Sequence, residues 1–298
     1  MKRNALILAL LISIVASSFA GLPAIKLTEE WKAQITEAAP AKPTVKPSKQ
    51  HKILLFSLMT GYKHWCTPHT AEVIKILGRK SGVYEVIESN EVSLFEPDNI
   101  KQFDVIVLNN NCSERKRRNL FFDVTKNDEK SAMLEKSLIS HIAGGKGLVS
   151  IHGSITILNN SEEYSKVLGG SFDFHPAQQE ITCKLVDPDH PLVAAFNGKP
   201  LVHVDEPYLF KNAYKNKNFR PLLMMDTDKL NCGKRDAAVK SDKRYVSWIK
   251  KHGKGRIFYC SPSHNAQSFE KPELLRFLLD GIQYATGDLQ CDDSPMKK

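Results

Sequence analysis

Apolar residues fall into two periods along this chain, and together they predict buried strands alternating with amphipathic helices. Residues 52–59 (KILLFSLM) form a continuous apolar run of strand length, the pattern of a strand covered on both faces. Gly61 breaks that run, and residues 67–78 then carry Val73, Ile74 and Leu77 at helical spacing. Residues 84–88 read as a second short strand and 103–108 (FDVIVL) as a third, apolar apart from Asp104. Met133, Leu134, Leu138, Ile139 and Ile142 draw a helical stripe that Gly144-Gly145 terminates. Residues 147–151 (GLVSI) form the fourth strand. Later strands are expected at 181–186, 221–225, 245–249 and 256–260, and residues 272–285 form a closing helix with Leu274, Leu275, Leu278, Leu279 and Ile282 inward. This rhythm predicts an α/β fold: a three-layer sandwich around a mainly parallel, doubly wound, flavodoxin-like sheet. Between 172 and 242 the pattern mixes strands and loops without a clear period.

The N-terminus lies outside that rhythm. Lys2-Arg3, an apolar run over 5–15 and Ser18-Phe19-Ala20 read as a signal peptide over 1–20, so the protein is expected to be exported, periplasmic or extracellular. The apolar run is short for a membrane crossing, and no membrane span is expected once the signal is removed. Residues 21–50, rich in Ala, Pro and Lys with one weak helical patch at 29–37, read as a linker. One domain then covers 51–290, followed by a tail at 291–298.

Charge and cysteine content add little to this picture. The formal net charge is +9, with its densest run at Arg115-Lys116-Arg117-Arg118. An exported chain has little access to nucleic acid, so no nucleic-acid partner is expected and the run reads as a solvated helix start or loop. The six cysteines show neither a CxxC pair nor zinc-knuckle spacing.

Ligands of an open parallel sheet bind beyond the carboxyl ends of its strands. Thr60-Gly61-Tyr62-Lys63-His64-Trp65 follows the first strand and Asn109-Asn110-Asn111-Cys112 the third. His152-Gly153-Ser154 follows the fourth and Ser261-Pro262-Ser263-His264 the last. Three of these four ends deliver a histidine, which can exchange a proton near neutral pH or bind a metal. His175 and the Asp205-Glu206 pair stand on a less certain chain path. The expected catalytic set is His64, His152 and His264 with Asp205 and Glu206 as orienting carboxylates. Tyr62, Trp65, Asn110, His175, Tyr208 and Trp248 are expected to bind substrate, the rings by packing on the C–H face of a sugar. His64, His152 and His264 are also the candidate ligands of a divalent metal such as zinc. GKGLVSIHGS has the outline of a strand–turn–helix nucleophile elbow, but His152 stands where a nucleophile would. Cys66 follows the wrong strand to serve as one. If strand order runs 2-1-3-4, the loops carrying Cys66 and Cys112 share an edge, and these two are expected to lie within disulfide reach.

These segments resemble the ThuA-like, trehalose-utilisation family. The Gly-aromatic-basic-His step is Gly61-Tyr62-Lys63-His64, the GxGxxxIH segment is 145–152 and GGxFxxHP is 169–176. An acidic-aromatic DExY follows at 205–208, a Trp-bearing strand at Trp248 and GxGRxFY at 253–259, with His264 beyond. The resemblance implies a class I glutamine-amidotransferase-like fold without amidotransferase chemistry. It also implies a role in utilisation of trehalose, other glycosides or 3-keto-sugars. His64, His152, His175, Asp205, Glu206 and His264 carry over as pocket positions. The chain departs from the family pattern at Gly153-Ser154, where Ala-Ala or Ala-Thr is usual, and at Ser263-His264, where Gly-His is usual. The expected function is acid/base chemistry on a small carbohydrate. The alternative is a non-catalytic sugar-binding or scaffold domain.

Overall fold

The computed structural model describes residues 21–296. The expected signal peptide lies outside these residues. The apolar run at 52–59 becomes strand β1 (His51–Phe56), with β2 (Tyr84–Ser89), β3 (Val105–Asn109) and β4 (Gly147–Ile151) following as the pattern predicts. Then come β5 (Ser171–Phe174), β6 (Gln179–Leu185), β7 (Leu201–Asp205), β8 (Leu209–Lys211), β9 (Arg220–Met225), β10 (Arg244–His252) and β11 (Gly255–Cys260). Nine of these strands form one sheet in the order β2-β1-β3-β4-β11-β10-β9-β6-β7, while β5 and β8 pair separately. The 2-1-3-4 order, on which the Cys66–Cys112 expectation is conditional, is present.

Strands β2, β1, β3, β4 and β11 run parallel. From β11 outward every pairing is antiparallel. The sheet is therefore mixed rather than mainly parallel. The reason lies in the burial pattern: β3 and β4 are buried along their whole length, as strands covered on both faces must be, whereas β6 and β7 alternate. Strand β7 was not evident from sequence, because LVHVD is short and half polar. Successive antiparallel reversals from β11 through β10, β9 and β6 return β7 to the direction of the parallel strands. Its carboxyl end, with Asp205, thus reaches the same edge as the ends of β1, β3, β4 and β11.

Helices Thr67–Ser81, Asp128–Ala143 and Pro272–Thr286 connect or follow the parallel strands. The last buries Leu274, Leu275, Leu278, Leu279 and Ile282, as expected.

The stretch 21–50 is not the linker its composition suggested. Helix Glu29–Ala38 begins at Thr28, whose hydroxyl accepts the Trp31 N–H at 3.2 Å, and it buries Trp31 and Ile35. Trp31 meets the His69 ring edge-on at 4.9 Å. Further along, the Thr44 N–H donates to Gln283 Oε1 at 2.9 Å and its hydroxyl to Asp280 at 2.6 Å. Two apolar anchors and a few side-chain acceptors hold a segment whose average composition is that of a tether. Part of the expected tail is also held: Lys251 pairs with Asp293 and Arg220 with Asp292. Among the described residues, no helix is long and apolar enough to cross a membrane.

Replacing Trp31 by Ala should destabilise the protein by about 3 kcal/mol, the usual cost of emptying a buried aromatic site. Urea unfolding measures this, and an unchanged midpoint would mean that the segment is a free tether.

Candidate functional site

At the end of β4 the chain turns through His152, whose φ of +46° is rare for a residue with a Cβ. This is the sharp exit that the nucleophile-elbow outline predicted, and it delivers a fully buried imidazole to the carboxyl edge. Nδ1 lies 2.8 Å from the Ser261 carbonyl oxygen, so it carries the proton and donates it there. The lone pair is then on Nε2, 3.4 Å from Glu206 Oε2 and 3.3 Å from His264 Nδ1.

His264 is placed by the turn after β11. Its N–H and that of Ser263 both donate to Asp205 Oδ2, at 3.2 and 2.9 Å. Asp205 Oδ1 accepts the Glu206 N–H at 2.7 Å, and His203 Nδ1 lies 3.3 Å from Oδ2. Burial alone would raise the Asp205 pKa, but the His203 hydrogen bond and the nearby imidazoles hold it below the usual carboxylate range. Asp205 thus holds the backbone of Ser263, His264 and Glu206 and stands behind the cluster.

Glu206 Oε2 lies 3.1 Å from His264 Nδ1 and is shared with His152. Its burial works against ionisation, yet the close approach of the His152 and His264 imidazoles drives its pKa far down. Burial likewise opposes charge on His264, but the adjacent Glu206 carboxylate and the nearby Asp205 outweigh it and raise the pKa. His64 comes from the loop after β1. Its Nδ1 faces Cys112 Sγ at 3.6 Å, and its Nε2 is buried without a partner. Burial and the two neighbouring imidazoles push its pKa well down, keeping it neutral.

One potential ligand atom from each of His64, His152, His264 and Glu206 falls within a 4.8 Å group. The three ring centroids are 5.0–5.2 Å apart. The imidazoles expected from three strand ends thus converge. Beside them is a cavity of about 510 Å³, whose walls include Tyr62, His64, Cys112, Phe172, His175, Glu206 and Tyr208. Tyr208 stacks on His152 at 4.2 Å and on His175 at 5.4 Å. His175 Nδ1 lies 2.9 Å from the Pro176 carbonyl, leaving Nε2 as its acceptor, 3.7 Å from Glu206 Oε1. A larger cavity of about 620 Å³ near Met133 and His141, at the opposite edge of the sheet, gathers no comparable group of ligating side chains.

Four expectations need correction. Trp248 is wholly buried, donates Nε1–H to the Leu168 carbonyl at 2.8 Å and stacks on Phe219, so it is a core residue. Trp65 packs against His69 and does not line the cavity. Asn110 is buried behind the site, where its Oδ1 accepts the Gly153 N–H at 3.3 Å. Cys66 and Cys112 are both free thiols. Cys66 faces the Ser263 carbonyl at 3.3 Å and Cys112 faces His64, so their side chains are engaged with different partners. Sequence reading also missed Gln178, whose amide lies 2.8 Å from His264 Nε2, and the cavity-lining Arg115 and Arg118. The arginines follow β3, and that position was the available clue.

Ser263 has φ +144°, a backbone region in which glycine is at ease and serine is strained. Its hydroxyl is also buried without a partner. Ser263→Gly should therefore stabilise the protein by about 1 kcal/mol, a rise in melting temperature of about 2–4 °C. Thermal unfolding checks this, and a lower melting temperature would show that the serine hydroxyl makes a favourable contact.

Solved structures provide an independent comparison. A ThuA-like protein from Bacteroides uniformis superposes with a TM-score of 0.59 at 15% identity, covering 82% of this chain and 94% of that one. A ThuA-like protein from Parabacteroides merdae gives 0.56 at 18% identity, covering 81% and 92%. A Salmonella typhimurium LT2 protein described as cytoplasmic gives 0.51 at 12% identity, covering 76% and 98%. No curated protein sequence matches the chain. The family model for ThuA, described as trehalose utilisation, matches residues 52–285. That span takes in every strand end described above, and the chain belongs to the ThuA, trehalose-utilisation family.

Proposed function

We propose that this is an exported, carbohydrate-active enzyme that performs metal-assisted acid/base chemistry on a glycoside or keto-sugar. The observation that carries the reading is the convergence of His64, His152, His264 and Glu206 beside a ring-lined cavity, which His64 and Glu206 line. Export rests on the composition of residues 1–20.

Three imidazole nitrogens and a carboxylate oxygen suit zinc or a similar borderline ion. Two features of the side chains favour such an occupant. His64 Nε2 and Glu206 Oε2 are buried without a satisfactory hydrogen bond, a costly state for polar atoms. The Ser261 carbonyl holds His152 in the tautomer that directs its lone pair inward, as supporting groups of metal-bound histidines do. When bound, the ion would supply Lewis acidity towards a carbonyl or hydroxyl oxygen.

The protein's own contribution is to bind, orient and move protons. Tyr62 and Phe172 offer rings to the apolar side of a sugar, and the buried Tyr208 backs them. With its acceptor nitrogen free and its ring partly exposed, His175 is placed to take a proton from a bound sugar. Stacking on Tyr208 fixes that ring, and Glu206 Oε1 beside it stabilises the imidazolium that forms. His152 and His264, more deeply buried, are assigned to the ion rather than to proton transfer.

Purified protein should bind about one zinc ion, and His152→Ala should weaken that binding by at least about 100-fold and abolish turnover. His175→Gln should lose turnover while keeping the ion. A panel of glycosides and their 3-keto forms, assayed with and without zinc, provides the readout. Binding of sugar with no product from any member would leave a binding protein instead.

The same reading predicts a pH dependence. The His264 pKa is raised, so the ring carries a proton at and somewhat above pH 6.5, and that proton must leave before the nitrogen can ligate. Zinc affinity should therefore rise about tenfold per pH unit until the raised pKa is passed, then level off. Calorimetry in buffers of different ionisation enthalpy would show the released proton, and a flat profile from pH 6 to 8 would contradict it.

A further inference from the structure

The basic run Arg115-Lys116-Arg117-Arg118 lies in the loop after β3 and so reaches the carboxyl edge of the sheet, beside the site. Its members are not equivalent. Arg117 is committed elsewhere, paired with Asp128 and resting 3.7 Å over the Phe122 ring. Arg115 and Arg118 instead line the cavity and, among the described residues, form no ion pair. Arg118 is partly buried, at φ +55°. Its backbone is fixed on both sides: the N–H donates to the Glu114 carbonyl at 3.0 Å and the carbonyl accepts the Asn160 N–H at 3.2 Å. The loop is thus held in place before any ligand arrives.

The acidic groups of the cavity do not balance these two cations. Asp173 is paired with Arg235 at 2.9 Å, and Glu206 is shared between His152 and His264. The part of the cavity lined by Arg115 and Arg118 therefore carries uncompensated positive charge. A partly desolvated guanidinium with no partner favours a planar or tetrahedral oxyanion, which it can grip with two N–H groups.

We propose that the ligand of this cavity is an anionic sugar derivative, its carboxylate or phosphate gripped by Arg115 and Arg118 while its sugar ring faces His175 and the imidazole cluster. The inference rests on the carbohydrate reading of the same site and narrows it from neutral sugars to sugar acids or sugar phosphates.

Calorimetric titration of the zinc-treated protein with glucose, glucuronate, glucose 6-phosphate and inorganic phosphate tests it. One of the two charged sugars should bind about tenfold or more tightly than glucose, the worth of one charge-assisted hydrogen bond or more. Which of them binds better identifies the oxyanion. The advantage should shrink with salt and in Arg115→Gln, an exposed position where folding is not at risk, and vanish in Arg115→Gln/Arg118→Gln. Equal affinity for all three sugars, no binding of any of them, or an advantage that survives the double substitution would overturn the proposal. Inorganic phosphate binding as tightly as glucose 6-phosphate would overturn it as well. Zinc content measured on the same samples separates the two readings. Intact zinc binding without anion preference removes only this inference, and anion preference without zinc removes only the metal assignment.

Discussion

One buried carboxylate organises the carboxyl edge of this sheet. Asp205 accepts the backbone N–H groups of Ser263, His264 and Glu206 and lies beside His203 Nδ1, so it ties the end of β7 to the turn after β11. An ionised carboxylate taken out of water is tolerable only when its lone pairs are filled in this way. The arrangement fixes two chemical groups at once, because the next residue, Glu206, and the second of the tethered amides, His264, both point into the cluster. It also explains how Ser263 can persist in a conformation that serine avoids: the hydrogen bond from its N–H to Asp205 holds it there.

The parallel half of the fold was legible because its central strands β1, β3 and β4 are buried on both faces and leave nearly unbroken apolar runs, whereas the edge strand β2 is half polar. From those runs followed the gathering of His64, His152 and His264, since parallel strands all end at the same edge. The antiparallel half was not legible. Strands such as β7 expose one face, read as half polar, and take their direction from pairings that no local pattern records. Trp248 and Trp65 were misplaced for a related reason: an aromatic residue near candidate chemistry looks the same in sequence whether it faces a ligand or the core. The arm at 21–50 was hidden by averaging, because Trp31 and Ile35 are a small part of a polar, proline-rich segment.

The two departures from the family pattern both fall beside the imidazole cluster. A Cβ on Gly153 would lie 2.5 Å from His64 Cε1 and 3.0 Å from Cys112 Sγ, so the absence of a side chain there leaves the volume that the His64 ring occupies. Ser263 immediately precedes His264 and sets the direction of its backbone. Both departures therefore bear on how two of the four converging groups are aimed, while His152 and Glu206 keep their family segments.

The contacts of the N-terminal arm constrain the order in which the chain can assemble. Thr44 and Val45 bond Gln283, and Thr44 also bonds Asp280, across more than two hundred residues. The acceptors belong to the helix Pro272–Thr286. A segment synthesised early must wait for one made more than two hundred residues later, so the arm can reach its final position only once that helix has been made.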